Sequence, residues 1–431
     1  MTASFPIRPR RGLSLLCVIT AFSFSAIIVI WFGMNSDREY IHPVLTQLIP
    51  AGHCACESST TFQCSTCLTC PEPGLQADTT RAWSFEYTRD GRNEALSNSQ
   101  CKSAFPGLFE DIARGVKFWS SHDRLSAVEL DAIPIQHGMA RAFISNGQLY
   151  VVTARSKGED HRRKILGTLS SIHRALAADP ERLSRRDLEF VFSVEDKVED
   201  VTNSEWPVWV FSRTSTEEGV WLMPDFSFWA WDNRDNYMGP YDQVVERIER
   251  MDIPWSEKTP QLVWRGKPSF APKLRRALME AARDKSWGDV KQVDWNTGSN
   301  VLRMEDHCHY MFIAHVEVAD GPNQNYVEVE RDFSDLPDKM EPLVTNTEVA
   351  QRIANNSVKT FRERYLTPAA EACYWRSLFD GYANVWNGTV EQWSQTKDRE
   401  RGLRYESFVL LESVKMYEFE ATRTAQWQAI L

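Results

Sequence analysis

The sequence predicts an α/β protein carried behind a single N-terminal membrane-spanning helix. Three observations lead there. An uncharged apolar run covers Gly12 to Gly33. From about residue 140 onward, short apolar strands alternate with amphipathic helices, the pattern of parallel sheets covered by helices. The chain has 431 residues, 42% hydrophobic and 25% charged, enough for a large buried core of ordinary composition.

The first element is the membrane run. At about 1.5 Å per residue it spans about 33 Å, against about 30 Å for a bilayer core. Arg8, Arg10 and Arg11 precede it, and Asp37, Arg38 and Glu39 follow. Positive charge stays cytosolic, so the N-terminus is expected in the cytosol and the remainder in the lumen. A cleaved signal peptide would have a shorter apolar stretch and small residues at its end. Ile30-Trp31-Phe32 is bulky and favours an anchor.

Residues 34–81 are rich in Ser, Thr, Pro and Cys and read as a stem. Of nine Cys, Cys17 lies in the membrane run and five cluster at Cys54, Cys56, Cys64, Cys67 and Cys70. In a cytosolic protein this spacing would suggest zinc; in an oxidising lumen it suggests disulfides. Five is odd, which leaves Cys101 to complete a sixth, with Cys308 and Cys373 as the remaining pair. Two acceptor triplets for N-glycans, at Asn355 and Asn387, fit a lumenal location.

Beyond the stem, Phe105 to Trp119 has helical spacing. Ala140 to Thr153 reads as a hairpin, because two apolar runs flank Asn146-Gly147. Arg163 to Ala178 is an amphipathic helix. Leu188 to Val194 is a strand ending at Glu195-Asp196, and Val208 to Ser212 is another. Tyr241 to Met251, Leu274 to Lys285, Glu348 to Tyr365 and Pro368 to Val385 read as helices. Gln261 to Trp264 is a short strand running into Arg265-Gly266-Lys267.

With 49 Lys+Arg against 59 Asp+Glu the net charge is −10, which argues against a nucleic-acid partner. The 16 Trp are expected mostly in the core, although their flat faces also suit sugars. Three strand ends carry candidate chemistry. Glu195 and Asp196 leave an apolar strand and suit acceptor binding or base chemistry, with a solvated turn as the plainer alternative. Arg265 beside Gly266 lets a guanidinium and a backbone approach a phosphate. Met304 to Tyr310 holds two His and two carboxylates. His307 and His309 are two apart, so they point to opposite sides of a strand and lie far apart on a helix, which demotes a metal site.

Taken together, VEDKVED (194–200), PDFSFWAW (224–231), PQLVWRGK (260–267), RMEDHCHYMFIAHVE (303–317), NYVEVERDFSDL (325–336) and RYLTPAAEACYWRSL (364–378) resemble one family. Their order and spacing are similar to those of the fungal capsule-associated (CAP10-like) glycosyltransferases of family 90, relatives of the protein O-glucosyltransferases. The resemblance runs from about Ala140 to Val385. It implies a GT-B-like architecture of two Rossmann-like halves facing a cleft. It also implies a UDP-sugar donor, a glycan or glycoprotein acceptor, inversion at the anomeric carbon, and no metal or other cofactor. It puts an acceptor-side half at 82–258, a donor-side half at 259–395 and a C-terminal extension at 396–431. The lumenal part would sit in the Golgi or endoplasmic reticulum as a single-pass type II protein with a cytosolic tail at 1–11. Carried over by position, Asp160 with Glu159 corresponds to the catalytic carboxylate. Arg265 and Gly266 fall near the donor phosphates, Asp306 and His307 open the donor half, and Glu195 and Asp196 lie on the acceptor side.

The chain departs from that pattern after Glu317. Where the family continues through a Ser-Gly-Arg block and further strands, Val318 to Gln324 leads directly to Asn325-Tyr326. The expected consequence is an incomplete C-terminal half lacking an Arg for the donor diphosphate. Three readings compete: a lumenal transferase of xylose or glucose into surface or cell-wall glycan, impaired in this copy; a non-catalytic member that binds glycan or a partner; and a zinc-dependent lumenal enzyme built on the Cys cluster.

Overall fold

The computed structural model describes residues 83–122, 125–179, 187–195, 206–227, 241–294, 297–314, 324–390, 393–394 and 399–412. All of them fall within one compact unit, Trp83–Leu431. The membrane run, the stem with its five Cys, Asp196, the Trp-rich end of 224–231 and the departure point at 317–321 lie outside the described residues. Among the described residues no helix is long and apolar enough to cross a membrane.

The first strands are β1 (Met139–Ser145) and β2 (Gln148–Arg155), with β3 (Leu188–Ser193), β4 (Val208–Val210) and β5 (Trp221–Leu222) after them. β1 and β2 form the expected hairpin, in which Ser145 pairs with Gln148. Its two turn residues have positive φ, 51° at Asn146 and 69° at Gly147, as a two-residue turn with this twist requires. The second group is β6 (Thr259–Gly266), β7 (Gly288–Gln292) and β8 (Tyr310–Ile313). The short strands β9 (Trp393–Ser394) and β10 (Arg399–Glu400) pair with each other, and β11 (Leu403–Arg404) returns to the first sheet.

The first sheet therefore has six strands in the order β11-β2-β1-β3-β4-β5. It is mixed. The hairpin makes β1 antiparallel to β2, and β1 is also antiparallel to β3, whereas β3, β4 and β5 run parallel. The second sheet has three strands in the order β7-β6-β8, all parallel. An α/β fold with parallel strands is what the alternation of elements predicts. The antiparallel half of the first sheet follows from the hairpin turn, since a two-residue connection can only reverse the chain.

The principal helices are α1 (Asn98–Ala104), α2 (Glu110–Ser120), α3 (Glu159–Ala177), α4 (Tyr241–Met251), α5 (Pro272–Ala281), α6 (Leu336–Thr345), α7 (Thr347–Ser357) and α8 (Pro368–Val385). After α7 the chain continues as a π-helical stretch, Val358–Tyr365, so the run expected as one helix changes its winding at Val358. α8 is buried on nearly all sides and packs on α2, α3 and β3, inside the first core. The family resemblance puts the same segment in the donor-side half, 259–395. Amphipathic spacing shows that a helix is buried but not which sheet buries it.

The first core is dense in aromatic rings. Phe190 and Trp209 stack at 4.0 Å, and Trp221, Trp375, Phe379 and Tyr382 gather around them, all fully or almost fully buried. Glu189, also fully buried, is held by Arg141 and by Arg401, whose Nη1 lies 2.7 Å from Glu189 Oε2. Through Arg401 and β11, part of the C-terminal extension joins this half. The cysteines correct one expectation. Cys101 forms a disulfide with Cys373 and ties α1 to α8, while Cys308 has no disulfide partner among the described residues. Cys101 therefore does not complete the stem set, and Cys308 and Cys373 are not a pair. Spacing in sequence could not reveal a bridge across a separation of 272 residues.

Candidate functional site

The parallel strands β3, β4 and β5 bring their carboxyl ends together, where ligands sit in such sheets. Glu195 follows β3, Phe211 follows β4, and Phe226 follows β5. The amino end of α3 meets them. His161 Nε2 lies 2.6 Å from Glu195 Oε1, and the ring's Nδ1 accepts the Lys157 N–H at 3.4 Å. Gly138 makes room for this pair. Its φ is +84°, and a Cβ there would stand 2.9 Å from Glu195 Cγ. Beside them Lys164 Nζ lies 5.0 Å over the Phe226 ring and 3.2 Å from Asp160 Oδ2.

Asp160 and Glu159 occupy the first turn of α3, whose N-cap, Gly158, supplies no side-chain hydrogen bond. Two carboxylates there complement the positive end of the helix dipole. Asp160 is 75% exposed and pairs with Lys164; Glu159 reaches Arg163 at 4.0 Å. The structure thus brings Asp160, Glu159 and Glu195 to one end of the first sheet, with His161 as the link. Asp196 is outside the described residues.

The second sheet has its own charged group. β6 extends through Gly266, so Arg265 lies in the strand, two places along the same face as Val263. Gly266 is needed there because a Cβ would stand 2.6 Å from the Trp264 ring. Arg265 Nη2 donates to Asp289 Oδ2 at 2.6 Å, and Nη1 donates to the carbonyls of Trp264, at 2.9 Å, and of Asp289. Tyr310 donates to the same Asp289 oxygen at 2.8 Å, and Lys291 Nζ lies 2.6 Å from the other. Burial pushes the Asp289 carboxyl up, but the bonds from Lys291, Arg265 and Tyr310 outweigh it and hold it at about 2. Burial and the bond to Asp289 push the Tyr310 phenol up.

Asp306 and His307 stand elsewhere. They belong to a tight turn, Glu305–His309, that leads into β8. Asp306 pairs with Arg303 at 3.3 Å, and His307 Nδ1 lies 2.9 Å from the Arg303 carbonyl. Because β6 and β8 are parallel and Thr259 pairs with Tyr310, this turn sits where β6 begins. Arg265 is at the far end, about 20 Å along the strand. The four donor-side candidates are therefore split between the two ends of the sheet. Among the described residues no group of three or more His, Cys, Asp or Glu is placed to hold a metal ion.

Sequence reasoning missed His161, Asp289, Lys291 and Tyr310. Asp289 and Lys291 flank Val290 in a strand of mostly polar residues, Gly288–Gln292, which carries no apolar pattern to mark them. His161, next to Asp160, carried no signal of its own. Asn355, on α7, and Asn387, just past α8, are both exposed, as glycan acceptors must be.

Residues 97–318 match the family model for glycosyl transferase family 90. That span takes in both charged groups just described. The chain is also similar to mouse protein O-glucosyltransferase 1, 22% identical over 372 residues, covering 73% of this chain and 90% of the relative. It is 23% identical to the rat protein of the same name over 371 residues, covering 73% and 89%. With the human one it shares 21% over 313 residues, covering 59% and 78%. A family match over more than half of the sequence, running through both sheets and their charged strand ends, makes this chain a member of glycosyl transferase family 90.

Proposed function

We propose that the chain binds a UDP-sugar, glucose or xylose, and is built for inverting transfer to a glycan or glycoprotein acceptor. The observation that carries this reading is the pairing of two charged strand ends within the family span: a carboxylate–imidazole pair on the first sheet and a buried Arg on the second. Inverting transfer needs a base to take the acceptor proton and positive charge against the leaving diphosphate. Asp160 with Glu159, and on the acceptor side Glu195 and Asp196, are the carboxylates we assign to the first role. Arg265 answers the second, with Gly266 allowing close approach of the main chain. The names of the relatives support glucose as one donor sugar.

A secretory compartment accords with this reading. The Cys101–Cys373 disulfide suits an oxidising lumen, and the run at 12–33 suits a type II anchor in the Golgi or endoplasmic reticulum. The acceptor would then be surface or cell-wall glycan, or a glycoprotein passing through.

Two observations favour the alternative of a non-catalytic binding member. The Arg265 guanidinium is largely engaged by Asp289 and by main-chain carbonyls, and the sequence lacks the Ser-Gly-Arg block expected after Glu317. Loss of one preorganised donor at a developing charge costs about 10²–10³ in rate. We therefore expect this copy to bind UDP and to turn over poorly. The test is UDP release from UDP-glucose and UDP-xylose by the full chain in detergent, beside a form carrying the mouse relative's segment between Glu317 and Asn325. The expected result is at least 10²-fold faster release by the grafted form. Equal rates would contradict the impairment.

A further inference from the structure

The Asp289 cluster ties all three strands of the second sheet together. Arg265 comes from β6, Asp289 and Lys291 from β7, and Tyr310 from β8. Arg265 and Lys291 are register partners on adjacent strands near the carboxyl end of the sheet. Of the guanidinium's five N–H donors, two on Nη1 and one on Nη2 are engaged. Nε is buried and has no hydrogen-bond partner among the described residues. A buried N–H on a permanent cation is costly to leave without an acceptor, and an oxyanion is its best one.

We propose that Asp289, with Tyr310 behind it, is a positioning residue that fixes the Arg265 guanidinium with its Nε edge presented to a phosphate oxygen of the donor. This rests on the donor assignment made above. Asp289 accepts from Arg265 and Tyr310 on one oxygen and from Lys291 on the other, so its carboxylate has little freedom to turn. A guanidinium gripped on Nη2 and Nη1 cannot rotate to offer those groups elsewhere. What remains is Nε–H and the second N–H of Nη2, and Asp289 sets their direction. Tyr310 steadies the carboxylate without touching the ligand. Lys291, 53% exposed on its side chain, adds a second positive charge at the same end of the sheet.

The alternative is that Asp289 only neutralises Arg265. The two roles predict opposite signs. If Asp289 positions Arg265, Asp289→Asn loosens the guanidinium and UDP binds more weakly despite the lost negative charge. If it only neutralises, removing that charge tightens UDP. Tyr310→Phe changes no charge and isolates orientation.

Calorimetry on the full chain with UDP and with uridine separates these cases. For Asp289→Asn the expected result is a UDP Kd raised roughly tenfold, the scale of one charge-assisted hydrogen bond. Tyr310→Phe should raise it by a smaller factor, and uridine binding should be unchanged in both. Tighter or unchanged UDP binding by Asp289→Asn, where that variant folds, overturns the proposal, as does unchanged UDP binding by Tyr310→Phe. An equal loss for UDP and uridine would mean general damage to the sheet and also overturns it. Failure of the unaltered chain to bind UDP removes the donor assignment itself, and the positioning role falls with it.

Discussion

The two sheets of this protein are stabilised in different ways. The first has six strands, a core crowded with Trp and Phe, a disulfide beneath it, and the chain's own C-terminal segment laid along its edge. The second has three strands, a smaller apolar cluster around Leu262, Leu278 and Met340, and a charged hub across its strands. Stability in the first comes from buried area. In the second a larger share falls to Asp289 and its three donors. The candidate groups are placed accordingly. On the first sheet, Glu195 and His161 sit on a rigid platform at the strand ends. On the second, Arg265 is itself a structural member, so any ligand contact there is coupled to the integrity of the sheet.

That contrast can be broken by mutation. The largest loss of stability is expected for Trp375→Ala in the first core. Trp375 is fully buried, and its indole N–H donates to Ser171 at 2.7 Å. Truncation should cost about 3–5 kcal/mol by denaturant unfolding. A smaller cost is expected for Met340→Ala in the second cluster, near the low end of about 2–5 kcal/mol. Equal costs would dissolve the distinction between the two cores.

Removing the Cys101–Cys373 bridge by a double Ser substitution should cost about 2–5 kcal/mol, because the bridge closes a very long loop. Thermal unfolding with and without reductant on the unaltered chain checks it. If reductant leaves the transition unmoved, the bridge contributes little to the first half.

The hub gives the second sheet a signature in acid. Asp289 titrates at about 2 in the folded chain, below the ordinary carboxylate near 3.9. Its folded pKa is depressed, so its contribution is fully present above about pH 4 and fades as pH falls towards 2. The expected size is about 2–3 kcal/mol at most. Asp289→Asn should flatten that part of the stability–pH curve, read by denaturant unfolding across that pH range.

How much of this was legible in the sequence depended on range. The hairpin at Asn146-Gly147, α3 and α4 follow from local turn chemistry and apolar spacing, and the structure has them almost where the pattern put them. The strand carrying Arg265 was visible, but its reach through Gly266 was not, because Arg and Gly resemble a loop when read alone. Long-range facts stayed hidden. Neither the Cys101–Cys373 bridge, nor the return of α8 to the first core, nor the meeting of Asp289 with Arg265 and Tyr310 leaves a trace in spacing. The site was half legible for the same reason. Glu195 and Arg265 stand out as charged residues ending apolar strands, whereas His161 and Asp289 gain meaning only through what they touch.

The central claim, that the second sheet holds the donor through Arg265, is tested most directly by calorimetry of UDP binding to the full chain and to Arg265→Ala. The account predicts saturable binding by the unaltered chain and a loss of roughly 1.5–3 kcal/mol in the variant, the range for a hydrogen bond to a charged group. Unchanged UDP affinity in a folded Arg265→Ala protein would contradict it.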